Sequence, residues 1–272
     1  MANKPPFTSV WARETPPRRG RDQPALSRGQ IVRAALEILD AEGMEALSMR
    51  KLGAKLGAGA TSLYWHVANK DELLELCLDE VLAEARVPGP QGERSWRDAA
   101  AVFAYGMRQT MLRHPWVAPL LGVLPSFGPN ALAVTGALTV AFERAGFTGR
   151  ILHYATGAVV SYTLGATTPE VSWLNMVAGS DVSADEWLDT LRKQVEVAAA
   201  DYPDLLARHR AQDYSDMGIT KSLTFDFGLV ALLDGLEVRL RHHLDEAGPP
   251  PQSAQSSAPP SSPTEDAAAG RG

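Results

Sequence analysis

Residues 59–67 read GATSLYWHV. Between Thr61 and His66 the chain sets two hydroxyls, a phenol, an indole N–H and an imidazole. No catalytic set surrounds them. The chain has six histidines but no H-E-x-x-H and no G-x-S-x-G, so neither zinc-dependent nor serine-dependent hydrolysis has its signature. The tandem His242–His243 reads as favourable positive charge near a helix C-terminus. An enzyme is the weakest reading, and neither a cofactor nor a metal is expected. What the stretch can do is donate hydrogen bonds to an acceptor-rich partner such as a phosphate backbone. On a helix, neighbours turn by about 100°, so Tyr64, Trp65 and His66 cannot all face one core.

The elements around this stretch place it on a short helix. Ser27 and Gln30 form an S-x-x-Q capping box for a first helix with Ile31, Ala34, Ala35, Ile38 and Leu39 at helical spacing, ended at Gly43. Ser48 caps a second, MRKLGAKLG, broken by Gly57 and Gly59. A third is predicted from about Ala60 to Val67, with Leu63 and Val67 facing the first. Asn69 or Asp71 opens a fourth, and VPGPQGER at 87–94 reads as a boundary. Ser95 caps a helix to about Arg113. HPWVAPLLGVLPSFGPN, with four prolines, predicts only short turns. Helices follow at about Pro129–Ala145, Thr148–Ala166, 184–200, 203–211 and Thr220–Glu246, with a polar loop over 167–183. No segment alternates as a strand does, so the fold class is all-α.

Two short helices joined by a glycine-containing turn behind a longer packing helix describe a helix-turn-helix. Its second helix would enter a major groove, and Gly59, Ala60, Thr61 and Ser62 at its start let the backbone approach. The run ALEILDAEGMEALSMRKLGAKLG…SLYWHVANKDELL resembles the DNA-binding domain of the tetracycline-repressor (TetR) family. FDFGLVALLDGLE, residues 225–237, is similar to the closing helix of the tetracycline repressor-like C-terminal domain. The resemblance implies a DNA-facing set of Ser48, Arg50, Ala60, Thr61, Ser62, Tyr64, Trp65, His66 and Lys70. Within it, Tyr64 and Lys70 match phosphate contacts, and Arg50 matches a position that reads a guanine. Thr61 and Ala60 match base-facing positions. Trp65 and His66 belong at the DNA backbone or at the seam with the next helix. Ala60 has no hydrogen-bonding group, so the operator should differ from the tetracycline operator.

The same resemblance implies a homodimer on double-stranded operator DNA and a small-molecule effector. Two-fold pairing suits half-sites in successive major grooves. Leu229, Leu232, Leu233, Leu236 and Leu240 form a stripe on the last helix, with Gly228 and Gly235 beside it. Gly157, Ser161 and Gly165 repeat at i, i+4, i+8 on the long helix before it. The expected dimer interface is Gly157, Ser161, Gly165, Gly228, Leu232, Gly235 and Leu236; the alternative is that both stripes pack inside one subunit. Effector-pocket candidates are Phe103, Met107, His114, Trp116, Phe127, Tyr154 and Trp173, each also open to a core role. Residues 115–130 hold no histidine, which argues against a metal–tetracycline complex and for an unrelated, apolar effector. A dimeric regulator that answers a protein partner, or acts constitutively, is the other reading.

Composition sets the frame. Residues 1–28 carry six basic against two acidic side chains, although the whole chain has net charge −6. The domains expected are a disordered basic arm (1–24), the DNA-binding domain (25–86, helix-turn-helix at about 48–67), a larger ligand-binding and dimerisation domain (90–246) and a Pro/Ser/Ala-rich tail (247–272). A lone cysteine excludes an internal disulfide. With no apolar run long enough for a bilayer, no membrane partner and a cytoplasmic location are expected.

Overall fold

The computed structural model describes residues 9–12, 26–85, 87, 95–211 and 217–247. They form ten α-helices and no strand. Helices α1 (Arg28–Glu42), α2 (Met49–Leu56), α3 (Ala60–Tyr64) and α4 (Lys70–Leu82) make the N-terminal unit. The rest comprises α5 (Trp96–Arg113), α6 (Pro129–Arg144), α7 (Gly149–Ala178), α8 (Ala184–Ala198), α9 (Pro203–Ala211) and α10 (Met217–Ala247).

Local chemistry starts these helices where the sequence says. The Gln30 N–H donates to Ser27 Oγ at 3.2 Å, and Gln30 Oε1 accepts the Ser27 N–H at 2.8 Å. Ser95 with Asp98, and Ser183 with Glu186, repeat the device. Asn69, rather than Asp71, caps α4. Gly57 ends α2 at φ 62°, a left-handed conformation that a side chain at this position would oppose.

Apolar burial then assembles them. Ile31, Ala35, Ile38 and Leu39 of α1 pack with Leu52, Leu63, Val67, Leu73 and Cys77. The same core continues through α5, α6 and α7 into Phe225, Leu229 and Leu233 of α10. Trp96 meets Phe142 and Phe147 edge-on, with ring centroids 5.1 and 5.3 Å away, which ties the start of α5 to the end of α6.

Three expectations are corrected here. First, α3 ends at Tyr64, so Trp65 and His66 lie in the turn beyond it. Second, the loop expected over 167–183 is helical as far as Ala178, with Pro169 inside α7. Proline removes one backbone bond to the carbonyl four residues back. Tertiary contacts around it hold the helix: Val171 is buried, and Glu170 pairs with Arg108 of α5 at 2.8 Å. Thr163, Thr167 and Thr168 return their hydroxyls to the carbonyls of the preceding turn.

Third, part of the basic arm is ordered. Val10–Ala12 form a 3-10 turn against α4 with Val10 buried. Buried Glu75 accepts the Val10 N–H at 2.9 Å and the Ser9 hydroxyl. One apolar side chain and two hydrogen bonds to a carboxylate offset the ordering of so short a segment. The remainder of 1–24, and the tail from 248 onward, lie outside the described residues.

Candidate nucleic-acid interface and the joint behind it

The turn and helix α3 divide their side chains sharply. Leu63 and Val67 are wholly buried in the core shared with α1. Tyr64 is 50% exposed and Trp65 77% exposed. Thr61 and Ser62 are exposed beside them, and Ala60 opens the helix. A large exposed indole costs apolar hydration that no neighbour among the described residues relieves.

The remaining predicted residues fall into two groups. Arg50 is exposed, with no ion-pair partner among the described residues, whereas Lys51 and Lys55 of the same helix pair with Glu42 and Glu37 of α1. That leaves Arg50 as the cation α2 offers outward. Ser48 and Lys70 have structural tasks. Ser48 Oγ accepts the Lys51 N–H at 3.2 Å as the α2 cap. Lys70 Nζ donates to the Met44 carbonyl at 2.8 Å, tying α4 to the turn after α1. His66 is half-buried at the edge of the group.

Behind the interface, α4 carries three buried carboxylates, Glu72, Glu75 and Asp79, at i, i+3 and i+7. Each accepts backbone N–H groups. Glu72 takes Ala68 N–H at 2.8 Å, and Glu75 takes Val10. Asp79 takes Ala131 N–H at 2.9 Å and Asn130 N–H at 3.3 Å. The last pair joins the two domains, because Asn130 and Ala131 are in the first turn of α6, where the helix dipole favours a carboxylate. The joint between the two domains is made by α4 with α6 and by α1 with His114 and Trp116. His114 Nδ1 lies 2.7 Å from Asp40 Oδ1 and Nε2 lies 3.3 Å from Glu84 Oε1, while Trp116 Nε1 donates to Asp40 at 2.7 Å. Burial pushes the thiol of Cys77, on the inner side of α4, well above its ordinary pKa, with Asp40 and Glu80 adding to the rise.

The effector-pocket candidates fall in different settings. Phe103 and Met107 are buried on α5, and His114 and Trp116 are used in the joint. Phe127 and Tyr154 are exposed. Trp173 is half-buried, edge-on to Trp187, with Lys221 Nζ 5.3 Å from its ring centroid. Burial lowers the Lys221 pKa, and Glu170 opposes the shift.

The predicted dimer stripe also divides. Leu229, Leu233 and Leu240 are buried in their own subunit, and Leu232 and Leu236 pack against that core. Gly228 faces the Tyr162 ring so closely that a Cβ there would overlap it. The close approach at Gly228 is therefore made to Tyr162 of its own chain. Gly157, Gly165 and Gly235 face open space, and Ser161 is exposed.

An N-terminal helix-turn-helix on a larger helical domain is the architecture of a helical DNA-binding regulator. Residues 31–77 match the family described as bacterial regulatory proteins, tetR family, and residues 88–240 match the tetracyclin repressor-like C-terminal domain. The chain belongs to the tetracycline-repressor family of DNA-binding transcriptional regulators. It is 42% identical over 198 residues to an HTH-type transcriptional regulator of Saccharopolyspora erythraea, covering 72% of this chain and 80% of that protein. It is 31% identical over 242 residues to the HTH-type transcriptional repressor DrrR1 of Streptomyces coeruleorubidus, covering 88% and 87%. Among solved structures, ActR of Streptomyces coelicolor in complex with actinorhodin superposes with TM-score 0.65 at 28% identity, over 79% of this chain and 96% of that one. No enzymatic family is indicated, and among the described residues no helix is long and apolar enough to cross a membrane.

Proposed function

We propose that the chain is a homodimeric repressor that holds a palindromic operator through α3 and releases it when a small molecule binds the α5–α10 domain. The observation that carries this reading is the split at Leu63–Val67: two fully buried anchors beneath an outward face of Thr61, Ser62, Tyr64 and Trp65. Arg50, exposed and without an ion-pair partner among the described residues, is placed on the adjoining helix to contact a base edge or a phosphate. Ala60 can only touch a thymine methyl or leave space, so this segment sets operator choice.

Dimerisation is assigned to the outer faces of α7 and α10. Leu223, Phe227, Val230 and Val238 are exposed on α10, and Tyr154, Ser161 and Gly165 on α7. Apolar side chains gathered on one helix face mark a surface that association would cover. Effector release is supported by a relative of the same fold solved with actinorhodin bound and by the two polar joints between the domains. A rearrangement of the effector domain would reach α1 and α4 through Asp40 and Asp79.

Gel-shift titration with DNA flanking the chain's own coding region tests the reading. Expected is one retarded complex at an inverted repeat, weakened by salt and dissolved by one of a panel of apolar and aromatic compounds. Retardation indifferent to salt would sink DNA binding; a complex that no compound weakens would sink effector release.

A further inference from the structure

The pairing of His114 with Asp40 and Glu84 is not explained by packing alone. His114 ends α5 in the effector domain and is buried. Asp40 lies on α1, two turns of chain before the helix-turn-helix, and Glu84 in the turn that follows α4. Both ring nitrogens meet carboxylate oxygens, at 2.7 and 3.3 Å. A neutral imidazole has one N–H donor and one lone pair. In either tautomer a carboxylate would face a lone pair, so only the doubly protonated ring satisfies both contacts.

The surroundings hold the carboxylates in place. Trp116 Nε1 donates to the same Asp40 oxygen at 2.7 Å, and Arg113 Nη1 pairs with Glu84 Oε2 at 2.6 Å. On α4, the Cys77 thiol feels both Asp40 and Glu80. Each carboxylate therefore holds a second donor besides the ring. We infer that His114 is a positioning residue for DNA binding: as an imidazolium it clasps α1 to the effector domain, and loss of its second proton loosens that clasp. The inference rests on the operator-binding reading for its consequence. Two reading heads fixed at one separation bind with less ordering cost than two that wander. Operator affinity therefore falls as pH rises and the ring gives up that proton.

The test uses the full-length protein, its own flanking DNA and fluorescence anisotropy at constant ionic strength, from about pH 6 to pH 8.5. The Trp116 indole N–H resonance is followed over the same series. Expected is a loss of affinity of roughly fivefold or more, the scale of a typical coupling between sites. His114→Gln loses that excess slope, and His114→Arg, with its fixed charge, shows less of it. Any contribution from His66 persists in His114→Gln, so the difference between the profiles belongs to His114. A native profile that matches His114→Gln overturns the inference, as does a Trp116 resonance that ignores pH. If no flanking DNA is retained at any pH, the operator reading fails while the resonance still decides: a shift absent from His114→Gln supports the clasp, and no shift removes it. His114→Gln is compared by circular dichroism first; where it is unfolded, Asp40→Asn takes its place in both readouts.

Discussion

Asp79 of α4 caps α6: its carboxylate accepts the Ala131 N–H at 2.9 Å, where Gly128 at the N-cap position has no side chain to offer. A Cβ built at Gly128 would overlap that carboxylate. The two residues therefore form one device. Asp79→Ala should lower stability by about 1–3 kcal/mol, since it strands buried N–H donors. Gly128→Ala should do similar damage by displacing the same group. The double variant should lose less than the two single losses combined, as read by thermal unfolding.

Leu63 and Trp65 separate folding from binding. Leu63→Ala should cost about 2–5 kcal/mol, as other buried leucines do. Trp65→Ala should leave the melting curve in place, within about 0.5 kcal/mol, and weaken operator binding in the gel shift. Arg50→Ala should behave like Trp65→Ala on melting and lose about 1–3 kcal/mol of discrimination between operator and altered sites.

Phe227 and Gly228 are neighbours with opposite outlooks. Phe227 is 79% exposed on the outer face of α10, and Gly228 is pressed against Tyr162. Phe227→Asp should give a folded monomer by light scattering after size-exclusion chromatography. Gly228→Ala should instead destabilise each subunit by about 1–3 kcal/mol through overpacking, with its melting transition reporting the loss.

Cys77 should resist thiol reagents until the protein unfolds, because its thiol is buried and its pKa is raised by that burial first and by Asp40 next. The sign of the linkage follows. The folded thiol holds its proton where the unfolded one releases it, near pH 8.5 for an ordinary cysteine. This contribution to stability is complete below that value and declines as pH rises above it. Cys77→Ala should flatten that part of the alkaline stability profile.

Much of this was legible in residue order because it is local. Ser27 with Gln30, Ser95, and Gly57 each act within a few positions, so caps and turns name their own helices. Leu63 against Tyr64 follows from helical spacing. What was not legible depends on pairs far apart. Nothing in PEVSW tells that Glu170 will meet Arg108 and carry α7 past Pro169. Nothing near Asp40 announces His114, 74 positions away. Glu72, Glu75 and Asp79 did offer a signal, acids at i, i+3 and i+7 interleaved with Leu73, Leu74, Leu76, Cys77 and Leu78, the arrangement that buries carboxylates only when donors await them. The α10 leucines gave their face but not their audience, since a stripe fits a neighbouring helix of the same chain as well as one from another.

The three carboxylates of α4 have a consequence for how such a chain can change over generations. Each holds its neighbour by main-chain N–H groups, at Val10, Ala68, Asn130 and Ala131. Every residue but proline supplies that donor. The donors themselves survive a change of side chain, while Gly128, whose Cβ would meet Asp79, and buried Val10 stay constrained. A new effector domain surface, or a new N-terminal strap, can drift into being around those fixed points without renegotiating its attachment to the reading head.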